Sequence, residues 1–122
     1  MKRIALALST SIIIITAGNG TVAAERKLTG AEITSMFTNA TVYWKWDRWD
    51  AITIFKAGGA MQGTIGNRSD TGRWWVSGEK YCRQWNQWNN AKKRCATIGI
   101  DGDKAVYHFD DGQVATTTAP KK

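Results

Sequence analysis

From residue 41 to residue 118, short apolar runs are repeatedly cut by turn-forming clusters. These are Asp47-Arg48-Trp49-Asp50, Lys56-Ala57-Gly58-Gly59, Gly78-Glu79, Asp101-Gly102 and Asp110-Asp111-Gly112, with a longer polar stretch from Gly66 to Gly72. Gly, Asp and Asn tolerate the backbone that tight hairpin turns demand. The runs between them are too short for stable helices and rich in β-branched and aromatic residues. They predict strands at Thr41–Trp46, Ala51–Phe55, Ala60–Ile65, Arg73–Ser77, Lys80–Trp85, Cys95–Ile100, Ala105–Phe109 and Gln113–Thr118. In the first, Val42, Trp44 and Trp46 share one face, and Tyr43 and Lys45 the other. Strands joined by tight turns form an antiparallel meander. About seven or eight of them must curl to hide an apolar face and their edges. The expected fold is therefore mainly β, a small barrel or sandwich. No βαβ spacing and no Gly-rich phosphate loop follows a strand.

Upstream, Thr29-Gly30-Ala31-Glu32 matches a capping box, and Ile33, Met36 and Phe37 follow at helical spacing. These predict one short helix over residues 30–38 whose apolar stripe plugs an end of the core. Glu25 to Lys27 reads as a charged lead, and residues 119–122 as a frayed tail.

Residues 1–24 have the three parts of a secretory signal: Met1-Lys2-Arg3, an apolar stretch from Ile4 to Ala17, and small residues ending at Ala24. The expected product is a single β domain over residues 25–118, periplasmic or secreted, without a transmembrane segment. Cys82 and Cys95 in an exported chain read as a disulfide, which a domain this small needs. A metal site is not expected, since zinc wants four ligands and the chain offers two Cys and one His. No cofactor is implied.

Losing Lys2 and Arg3 takes the formal charge from +7 to +5. A basic surface favours anionic partners: an envelope glycan, a lipid headgroup or an acidic exported protein, rather than nucleic acid in that compartment. Seven Trp is a high count for this length. Trp74 and Trp75 are adjacent and cannot both face inward on a regular strand. Trp44, Trp46, Trp74 and Trp85 read as core fillers. Trp49, Trp75 and Trp88 read as surface Trp able to stack on a ligand. Residues 83–94 mix amide, aromatic and cationic side chains, and Arg83, Trp88, Lys92, Lys93 and Arg94 are candidate ligand contacts there.

No catalytic constellation stands out. His108 shares a strand face with Val106 and reads as a structural or surface residue. The acids cluster in turns, where Asp serves the backbone. Asp101-Gly102-Asp103 lacks the continuation that a calcium loop requires.

Gly72-Arg73-Trp74-Trp75-Val76-Ser77-Gly78, Tyr81-Cys82, Trp85 and Arg94-Cys95 together resemble a family of small secreted or periplasmic proteins common in alphaproteobacteria. Leu28 to Ile33 and Asp111-Gly112 extend the likeness over about residues 28–112. Gly58-Gly59 departs from it, since such proteins more often carry Asp-Gly there. The resemblance implies an envelope location and a disulfide, and transfers no site. The leading expectation is a non-enzymatic exported protein that binds an anionic envelope component or a protein partner through exposed Trp and basic residues. An inhibitor or chaperone-like module for an exported enzyme is the second, and a small hydrolase the third.

Overall fold

The computed structural model describes residues 25–122. The leader expected at residues 1–24 and the cleavage after Ala24 lie outside the described residues.

The helix forms where its capping box predicts. α1 spans Gly30–Phe37. Thr29 Oγ1 accepts from the Glu32 amide at 3.1 Å, and the Thr29 amide donates back to Glu32 at 2.9 Å. Every turn-bounded run forms a strand: β2 (Ala40–Trp46), β3 (Trp49–Phe55), β4 (Ala60–Ile65), β5 (Arg68–Ser77), β6 (Lys80–Trp85), β7 (Arg94–Asp101), β8 (Lys104–Phe109) and β9 (Val114–Thr118). They pair antiparallel in sequence order from β2 to β9. The ninth strand is the lead itself: β1 (Arg26–Lys27) lies along β7, with Arg26 opposite Ile100.

The meander curls into a nearly closed barrel, which resolves barrel against sandwich. Its seam joins β2 to the chain end. Thr41 and Lys121 exchange backbone hydrogen bonds of 2.7 and 3.0 Å, and the Tyr43 amide donates to Thr118 Oγ1 at 2.9 Å. The structure therefore differs from a frayed tail at residues 119–122. Lys122 Nζ also donates to the Ser35 and Thr38 carbonyls at 2.6 and 2.7 Å, at the C-terminal end of α1. A cation there satisfies orphan carbonyls and the negative end of the helix dipole.

Successive hairpins place their turns at alternate ends. Turns 56–59, 78–79 and 102–103 lie at one end, and α1 seats there. Phe37 is fully buried against Phe55, Tyr81, Tyr107 and Trp74, with ring centroids 5.2 to 6.4 Å away. Ile33 and Leu28 complete this floor. Connections 47–48, 66–67, 86–93 and 110–113 gather at the opposite end, where among the described residues the barrel has only these connections over it, with one short 3-10 turn at Trp88–Ala91.

Candidate ligand-binding cavity

Alternation along the strands decides what faces the barrel axis. From β2 to β4 the inward set includes Val42, Trp44, Ala51, Thr53, Phe55 and Met61, and on β6 it is Tyr81, Arg83 and Trp85. On β7 and β8 it includes Arg94, Ala96, Tyr107 and Phe109. Below, these chains close around Phe37. Above, they leave a cavity of about 900 Å³ that reaches down to Phe55, Tyr81 and Tyr107 and opens among the four connections of the uncovered end. Eight-stranded barrels are just wide enough to hold one small ligand, and this volume falls within the range of small-molecule sites.

The walls are strongly aromatic. Trp44 is held by a hydrogen bond from its Nε1 to Thr53 Oγ1 at 3.1 Å. Trp85 and Trp88 meet with centroids 4.8 Å apart. Gly63 makes room for them, since a Cβ there would lie 2.5 Å from the Trp85 ring and 2.7 Å from the Trp88 ring. Trp88 is carried by the 86–93 connection, and Asp70 pins that connection. Its Oδ2 accepts from the Gln87 and Trp88 amides at 2.9 Å each, while Oδ1 accepts from the Thr71 amide. Burial pushes the Asp70 pKa up, but the amides of Trp88, Gln87 and Thr71 pull it down by more, below the usual aspartate range.

The cavity wall carries four cationic side chains, Lys45, Arg68, Arg83 and Arg94, and no carboxylate or histidine. Lys45 pairs with Asp50 at 2.7 Å. Arg94 pairs with Asp111 at 3.1 Å and donates to Gln113 Oε1 at 2.8 Å. The Gln113 amide, followed by Arg94, lowers the Asp111 pKa, so this acid stays ionised beside its partner. Arg83 faces Arg94 across the ladder, and the guanidinium carbons lie 5.4 and 3.7 Å from the centroid of the Phe109 ring. Arg83 Nη1 is buried without a hydrogen-bond partner. Burial raises the phenols below: Tyr81 to about 12, with Arg83 and Arg94 pulling the other way, and Tyr107 further still. Tyr107 bonds Thr117 Oγ1 at 2.9 Å. Both tyrosines stay neutral across ordinary pH, as hydrogen-bonding groups rather than bases.

The expected contact residues divide. Trp49, Arg83, Trp88 and Arg94 line the cavity. Lys92 and Lys93 are exposed on the 86–93 connection and stand outside its wall. Trp75 points outward on β5, with the Arg73 guanidinium 5.7 Å from its ring, beside a shallow groove that includes Thr34 and Thr38. Trp74 and Trp85 are buried as expected. Trp46 is not a core filler: it sits opposite Trp49 at the hairpin tip and is 62% exposed, against 53% for Trp49. It has the inward parity of its strand, but the strand extends beyond the packed interior at that point.

Asp70 and Arg68 were missed because residues 66–72 read as a polar loop. In the structure β5 begins at Arg68 and continues through them. The alternating placement of Arg68, Asp70 and Gly72 was the available signal. His108 is exposed on the outer surface, its Nε2 2.9 Å from the Glu25 carboxylate, away from the cavity. Cys82 and Cys95 are bonded to each other on the outer face of β6 and β7. Among the described residues no helix is long and apolar enough to cross a membrane.

Comparison of the chain with protein-family models, with curated proteins and with solved structures gave no match.

Proposed function

We propose that this protein is a non-enzymatic binding barrel of the exported compartment, which takes a small molecule with a flat or apolar body into its cup. The observation that carries this reading is the cavity of about 900 Å³, which bottoms on Phe55, Tyr81 and Tyr107 above the buried Phe37 and is open at the other end. A filled core would spend its aromatic residues on each other. Here Trp44 and Trp88 are only partly buried and border open space, and the wall sets these rings beside polar and cationic side chains that can orient a ligand. The wall gathers Trp49, Arg83, Trp88 and Arg94 from the expected contact set, so binding is assigned to the interior rather than to a flat patch. The Cys82–Cys95 bridge fits an oxidising compartment, and an envelope or secreted location remains part of the proposal.

Titration of the purified protein with a neutral polarity-sensitive dye such as Nile red tests this. Saturable binding at one site is expected. It is lost in Ala115→Trp, because Ala115 lines the cavity on β9 opposite the inward Tyr107 and a bulky ring there fills it. Absence of saturable binding, or binding indifferent to Ala115→Trp, overturns the reading.

A further inference from the structure

We infer that Arg83 is the head-group anchor of this cup and that its ligand carries a single carboxylate on an apolar body. The inference rests on the cup reading above and adds the chemistry of the ligand.

The wall has cations but no carboxylate of its own, so its field selects anions. The cations differ in what they have left to offer. Lys45 is paired with Asp50, and Arg94 is held by Asp111 and Gln113. Arg68 lies at the mouth beside the 66–67 turn, where water reaches it. Arg83 and Arg94 both lie against the inner Phe109 ring, and of the two Arg83, two residues after Tyr81 in the strand, is the one that Asp111 and Gln113 do not hold. No acid among the described residues pairs with it.

A buried guanidinium nitrogen without an acceptor is costly, because desolvation is not repaid. The Phe109 ring offsets part of that cost. Nη1 itself is sealed from the cavity, but Arg83 is only half-buried and lines it, so an incoming oxyanion meets the other guanidinium nitrogens, and its shape follows from the partner. The guanidinium edge offers two parallel N–H donors, which match a planar carboxylate. One uncompensated cation in a low-dielectric site is neutralised by one negative charge. A phosphate monoester, largely dianionic at neutral pH, would leave a surplus there. The carboxylate then sits on Arg83, and the body of the ligand lies along Trp44 and Trp88.

The test compares fluorescent probes of one skeleton, 11-(dansylamino)undecanoic acid, its methyl ester and the corresponding alkyl phosphate, on the purified protein. The acid is expected to bind roughly 10- to 100-fold more tightly than the ester, the range for losing a charge-assisted hydrogen bond. Arg83→Met is expected to bring that ratio close to one. Arg83→Lys, which keeps charge and loses the fork, is expected to give an intermediate ratio. Lys92→Ser removes a charge outside the wall and is expected to leave the ratio unchanged. Equal binding of acid and ester overturns the anchor while the cup reading stands. Failure of both probes, together with Nile red, overturns the cup itself. An equal loss of preference in Lys92→Ser and Arg83→Met reduces the effect to general charge and sinks the assignment. Tighter binding of the phosphate than of the acid overturns the carboxylate. Should Arg83→Met fail to fold, the acid-to-ester ratio of the unaltered protein and of Arg83→Lys decides.

Discussion

Arg83 and Arg94 stand directly opposite each other on β6 and β7, immediately beyond the Cys82–Cys95 bridge. Like charges opposite one another push a strand pair apart. Three devices oppose that here. The bridge ties the neighbouring residues covalently on the outer face, Asp111 neutralises Arg94, and the Phe109 ring accepts both guanidinium groups. The disulfide thus holds closed the place where the cavity collects positive charge.

Replacing both cysteines by alanine removes a bridge across a sequence separation of 13. The expected loss of stability is about 3 kcal/mol in the chain-entropy account. Denaturant unfolding of the oxidised protein and the double variant measures it. A loss below about 1 kcal/mol would mean that the Arg83–Arg94 ladder holds without the staple.

Phe37→Ala removes the ring that closes the helix end of the barrel and touches four other aromatic side chains. Large-to-small changes of a buried Phe cost about 3–5 kcal/mol, and a value in that range is expected from chemical denaturation. A cost below about 1.5 kcal/mol would show that α1 is not the plug.

Asp70 sets a pH response in the 86–93 connection. Its folded pKa lies below the unfolded one, so its contribution is fully present above the ordinary aspartate value and is lost as pH falls through the lower folded value. Acid is therefore expected to release the Gln87 and Trp88 amides before the barrel unfolds, and hydrogen exchange at these amides reads it. Asp70→Ala leaves both donors without their acceptor and is expected to cost about 2–3 kcal/mol at neutral pH. Unchanged exchange at Gln87 and Trp88 in that variant contradicts the pinning role.

Trp46→Ser is expected to change stability by no more than about 0.5 kcal/mol, as an exposed side chain should. Gly63→Ala is expected to cost about 1–3 kcal/mol, because its methyl meets the Trp85 and Trp88 rings. Thermal unfolding of the two variants side by side separates lip from core. Equal losses would mean that Trp46 is packed after all.

Legibility followed the range of the forces involved. The capping box at Thr29 and Glu32, the hairpin turns and the two-residue alternation act over a few residues. They yielded α1, eight of the nine strands and the outward turn of Trp75. What was illegible depended on distant partners. The lead became β1 only because β7 offers it an edge at Gly99 and Ile100. Polar residues 68–72 became strand because β4 pairs with them from Met61 to Ile65. Trp46 keeps the parity of Trp44, yet only the length of the neighbouring strands shows that the core ends before it.

Local sequence determined a twisted antiparallel ribbon with a cystine pair and a capped helix, because turn chemistry and side-chain alternation are properties of neighbouring residues. Tertiary structure decided that the ribbon closes at Thr41 and Lys121, with a cup open at one end. It also decided that Arg83, among the cations of the cavity wall, is set against the inner rings without an acid. Closure brings residues some eighty positions apart into register, and no short-range preference of the chain encodes which charge is then left without a partner.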